Sequence, residues 1–166
     1  MNKEIKLLRK QIIGLTCFFM VALAISGLTA IPARSGVIFL LNTVPQSWSF
    51  AYDFLQYIRQ ALFSCNTVLF YGYDWLAFAH IIIALLFIGV LRDPVRNIWV
   101  VEFGMMACML IIPFAFIMGS IREIPVWWRL VDCSFGVIGI ILLWLVRNRI
   151  LTLQKIIDVE KLNIIF

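Results

Sequence analysis

One histidine, His80, and one aspartate, Asp132, each interrupt an otherwise apolar run of the chain. An imidazole oriented by a carboxylate can relay a proton, act as a general base on a bound molecule, or hold a ligand group. An ionisable side chain within a membrane-spanning segment is costly unless it faces protein or a water-filled cavity, so such residues point to sites. Depth supports pairing these two. His80 lies six residues inward from Asp74, about 9 Å at helical rise, and Asp132 lies six residues inward from Val126, where its own apolar run begins. On helical periodicity Arg129, Asp132, Gly136, Gly139 and Leu143 share one stripe, and Ala77, His80, Ala84 and Phe87 share another. Small residues beside each polar group let helices close up. The expectation is that His80 and Asp132 meet in the outer half of a helical bundle, beneath a polar vestibule of Arg129, Arg122, Glu123 and Asp74. The bland alternative is interhelical glue, for which membrane hydrogen bonds average about 0.6 kcal/mol.

Glu102, near the start of a third apolar run, is expected to pair with Arg92 or Arg96 across a short connection, with its side chain reaching toward the interface. Ser134 invites a triad with His80 and Asp132. Two helical positions, however, rotate a side chain by about 200°, so Ser134 and Asp132 point nearly opposite ways. Cys17, Cys65, Cys108 and Cys133 have neither CxxC nor metal-finger spacing, so no metal site is expected; the three inside apolar segments read as small buried hydrophobes, and Cys65 alone sits in a non-spanning segment with nothing nearby to pair it. A single histidine cannot supply bis-His haem ligation, and Met105, Met106, Met109 and Met118 read as packing. No phosphate loop or nucleotide fingerprint is present, and no cofactor is expected.

The elements that must position these residues are apolar helices. Hydrophobic residues make up 63% of the 166 and charged residues 14%, with a mean hydropathy of +1.00; an average soluble domain has about a quarter charged residues. Spans are expected at about 11–31, 75–91, 98–120 and 126–146, near the roughly 20 residues a helix needs to cross the hydrocarbon layer. The first run is long for the hydrophobic part of a signal peptide and lacks a good small-residue exit, so it reads as a retained span. Its Gly14, Thr16, Cys17, Ala22, Ala24, Ser26 and Gly27 suit close helix approach. Residues 32–73 form an outer segment with a helix opening at Ser47 as N-cap. Trp48, Ala51, Phe54, Leu55, Ile58 and Leu62 fall on one of its faces, against Asp53, Gln56, Tyr57, Arg59 and Gln60 on the other. Arg92-Asp93-Pro94 ends the second span, Pro113 can bend the third, and residues 147–166 form a helical tail, either an amphipathic extension of the fourth span or an interfacial foot. The fold expected is all-α: a polytopic membrane protein, a four-transmembrane-helix bundle with an outer interfacial amphipathic helix, in one membrane domain.

Of the 14 Lys and Arg residues, ten fall at the N-terminus, the second-to-third connection and the tail, and four on the opposite side. Both termini are therefore expected in the cytoplasm, of a cell membrane that size and simplicity suggest is a bacterial inner membrane. The net charge of +5 is thereby explained as juxtamembrane, and nucleic acid is not an expected partner. The expected partners are membrane lipids, with a homo-oligomer or a larger membrane complex beside them. A non-enzymatic accessory or scaffold protein binding partner helices is the role these residues favour. The alternatives are a small transporter or proton-relay component using His80 and Asp132, and a membrane-embedded enzyme acting on a lipid or quinone.

Overall fold

A computed structural model describes residues 3–165, with side chains described through Val159. The described chain is all-helical: α1 (Lys3–Leu28), α2 (Ala33–Thr43), α3 (Ser49–Ser64), α4 (Val68–Leu86), α5 (Ile88–Arg92), α6 (Ile98–Ile121) and α7 (Val126–Ile165). Four helical stretches are long and apolar enough to cross a membrane: Lys3–Leu28, Val68–Arg92, Ile98–Ile121 and Val126–Val159. In hydrocarbon no water can satisfy a backbone N–H or C=O, and a continuous helix satisfies both internally. That is why the apolar runs fold this way.

Several expected boundaries move. The second span begins at Val68, not Trp75, so Tyr71, Tyr73 and Asp74 are helical rather than part of a loop. It is broken at Phe87, whose carbonyl accepts from both Val90 and Leu91 before α5 resumes. Asp93, extended as a residue before proline must be, ends α5. Asn97 then seals the turn, its Nδ2 donating to the carbonyls of Gly89 and Asp93, each at 2.9 Å. In the outer segment the short run 37–41, expected as a further interfacial turn, belongs to the full helix α2, and α3 starts at Ser49 behind Trp48, with no side-chain cap, so Ser47 is not the N-cap. α6 runs through Pro113 without interruption. The tail continues the fourth span as one helix, the extension expected of it rather than a separate interfacial foot.

The chain divides into two compact units, one formed by the residues up to Met20 and from Leu85 onward, the other by Val21–Ala84. In the first, α6 and α7 form an antiparallel hairpin. A Cβ placed on Gly104 would meet Leu143, one on Gly139 or Gly136 would meet Cys108, and one on Gly119 would meet Arg129. Those partners run in opposite directions along the two helices. Glycine is what lets them approach, because lipid tails are as apolar as the helices and close van der Waals contact must hold the pair. Ile5, Leu8, Ile12, Thr16 and Phe19 form the buried stripe of α1 in this unit, at intervals of three and four residues. Gly14, expected at a helix contact, has nothing within 4 Å of an added Cβ. In the second unit, α2 packs on α3 with Val37, Ala51 and Leu55 buried. There Gly27 lies so close to α4 that a methyl group on it would overlap His80 Cβ.

Candidate functional site

The α6–α7 turn shows how this chain positions its polar groups. Glu123 has φ 56°, the left-handed conformation that ends a helix and that glycine usually supplies. Its N–H donates to Ser120 O at 3.3 Å and that of Ile124 to Gly119 O at 2.8 Å, the paired bonds of a Schellman cap. Arg129 then locks the turn: Nε donates to Ile124 O at 2.7 Å and Nη1 to Ser120 Oγ at 2.9 Å. Glu123 and Arg129 thus build the corner rather than the polar vestibule expected of them. Arg122, the C-cap residue of α6, is exposed. Because a side chain costs roughly 1–2 kcal/mol in a left-handed conformation, Glu123→Gly should raise the stability of the purified protein by up to about 1 kcal/mol, read as an increased melting temperature in detergent. A lowered one would mean that the carboxylate itself matters.

His80 and Asp132 fall in different units, and each has its own surroundings. His80, half-buried against Gly27, has Nδ1 2.8 Å from the carbonyl of Leu76, one turn back. A carbonyl only accepts, so Nδ1 is the donor in this bond. Asp132 is exposed, although Gly136, Gly139 and Leu143 on the same stripe are buried. The buried line of α7 passes through Cys133 instead, about 100° around the helix from Asp132. Asp74 is also exposed, on a shallow hollow of about 240 Å³ that it lines with Tyr71, Trp75 and Phe78.

The expected pairing of Glu102 with Arg92 or Arg96 is replaced. Glu102 Oε1 accepts from Arg147 Nε at 2.9 Å, joining α6 to α7. Arg92 and Arg96 are exposed, and near them it is the backbone N–H of Arg96 that bonds Asp93 Oδ1, at 3.1 Å. Sequence proximity suggested the wrong cations. An antiparallel hairpin about the turn at Glu123 sets Glu102 opposite the region of Arg147, an inference available once the two helices are taken as partners. A second polar clamp of this unit went unforeseen: Arg149 Nη1 donates to Gln11 Oε1, tying α7 to α1.

In chemical terms these arrangements orient and fasten. Arg129, Arg147 and Arg149 each spend a guanidinium on a neighbouring turn or helix, and His80 spends Nδ1 on its own helix. No match to the chain was found among family models, curated proteins or solved structures.

Proposed function

We propose that the protein is a non-enzymatic integral membrane component, an accessory or scaffold subunit whose apolar helix faces bind partner helices. The observation that carries this reading is the use of its polar side chains. Arg129, Glu102 with Arg147, and Arg149 with Gln11 fasten the helices of one unit to one another. These bonds join helix to helix and turn to helix, the use a structural subunit makes of such groups. Room for a partner is offered by Gly14 on α1 and Gly72 on α4, where an added Cβ meets nothing within 4 Å and a second backbone can come close. The exposed Phe18, Val21 and Ile25 of α1 supply apolar surface for the same purpose. The reading includes both termini in the cytoplasm, from the distribution of Lys and Arg, and α3 lying at the outer interface with Asp53, Tyr57, Arg59 and Gln60 toward water.

The test is purification of the tagged chain from its native membrane in mild detergent, with a reporter at the C-terminus that is active only in the cytoplasm. The reading expects an active reporter and an assembly of fixed composition larger than the 19.2 kDa monomer. His80→Ala and Asp132→Asn should leave that assembly and the cellular phenotype unchanged. A monodisperse monomer would overturn the scaffold role. Loss of phenotype in both variants with the assembly intact would favour the proton-relay alternative.

A further inference from the structure

Within the unit Val21–Ala84, the surroundings of Arg34 have no part in the scaffold reading. Arg34 lies in the first turn of α2, and its Nε donates to the carbonyl oxygen of Leu62, at the end of α3, at 3.2 Å. Its guanidinium carbon stands 4.6 Å from the ring centroid of Phe70 and 5.4 Å from that of Phe63. One hydrogen bond and two aromatic faces therefore fix the plane of the group. Its terminal nitrogens, Nη1 and Nη2, have no acceptor among the described residues. Beside it opens a cavity of about 340 Å³ lined by Ile31, Pro32, Arg34, Ser35, Thr67 and Phe70, in which Arg34 is the sole charge.

A guanidinium held flat, with its outer N–H groups turned to no protein acceptor, presents the fork that matches two oxygens of a phosphate. The hydroxyls of Ser35 and Thr67 add two donors at the rim of the same cavity. The first turn of α2 contributes N–H groups that have no carbonyl one turn earlier in the helix, and with them the positive end of its dipole. Ile31, Pro32 and Phe70 give an apolar wall that a free anion would not use and a lipid's glycerol and acyl carbons would. The cavity is built from the chain that follows one membrane-length helix, ending at Leu28, and from the start of the next, beginning at Val68. The ends of such helices reach the level of lipid headgroups. We propose that this cavity binds a phosphate group, that of an anionic phospholipid headgroup.

The experiment is native mass spectrometry of the full chain released from detergent, titrated separately with phosphatidylglycerol, phosphatidylcholine and inorganic phosphate. The expected result is one phosphatidylglycerol retained in preference to phosphatidylcholine, with inorganic phosphate too weak to hold. Loss of a charge-assisted donor pair should show directly in retention, so Arg34→Gln should weaken it about tenfold or more. Arg34 also joins α2 to α3, and its loss can unfold that pair. The double variant Ser35→Ala with Thr67→Val removes only the hydroxyls and should weaken retention several-fold at an unchanged melting temperature. If Arg34→Gln does not fold, the double variant decides. Retention of phosphatidylglycerol equal in wild type and the folded variants would overturn the site. Arg34-dependent binding of inorganic phosphate without lipid selectivity would overturn the lipid as its source.

Discussion

Phe87→Ala is expected to lower the stability of its unit by about 3 kcal/mol, the low end of the range for phenylalanine truncation in a core. Phe87 is 0% exposed although it occupies the break between α4 and α5. Its ring lies 4.9 Å from that of Phe19 at 53°, and its edge sits against Gly104, where an added Cβ would stand 2.8 Å from Cζ. One side chain thus touches α1 and α6 from the start of α5. In a bilayer the transfer term is small, because a ring leaving this core enters an equally apolar solvent. What is lost is contact: the cavity left behind has no partner atoms for its lining. That difference places the expectation at the low end. Thermal or denaturant unfolding in a fixed detergent measures it, and Phe87→Leu should recover more than half of the loss. An alanine variant as stable as the wild type would mean that this contact is absent in the membrane.

The second large effect is expected at Gly136. A Cβ there stands 2.7 Å from the backbone carbonyl oxygen of Cys108 and 3.4 Å from Ile111 Cβ. At Gly104 and Gly119 the nearest obstructing atoms belong to side chains; at Gly136 the nearest is the backbone of α6 itself. Valine at this position must therefore push the hairpin apart, an overpacking cost of about 1–3 kcal/mol. Gly14→Val, melted as the purified monomer apart from any partner, serves as the control, because an added Cβ on Gly14 meets nothing of this chain within 4 Å. If both variants melt together, the α6–α7 contact is not what holds the hairpin. If only Gly136→Val falls, the close approach is confirmed as a source of stability and not merely of shape.

The four long apolar helices were legible because hydropathy is a one-dimensional property, and Ile98 to Ile121 differs by one residue from its expected end. The start of α4 was not, because Tyr71, Gly72, Tyr73 and Asp74 carry the polar and aromatic signature of an interface while a helix runs through them. The candidate site was legible only in part. Periodicity correctly put Gly136, Gly139 and Leu143 on a buried face, but Asp132, 40° from Gly136 on an ideal helix, lies past its edge and is exposed. Periodicity gives a face only to within such an angle. Arg92 and Arg96 are nearer Glu102 along the chain than Arg147 is, but helix pairing and not chain proximity decides its partner. Glu123 was beyond reach, since nothing in an Arg-Glu-Ile-Pro sequence announces a left-handed residue where glycine is the rule.

α7 runs from Val126 to Ile165 without a break. At helical rise its 40 residues extend about 60 Å, twice the roughly 30 Å of hydrocarbon. A rod of this kind keeps angular register from end to end: whatever face its distal half presents is fixed by the grip of Arg147 and Arg149 on their partners. Inserting one residue after Leu153 would swing everything beyond it by about 100°, a change that a slack tether would absorb and a stiff one must deliver to anything bound there. Pushing or twisting the far end would in turn be felt at the Glu123 corner, with no intervening joint to dissipate it.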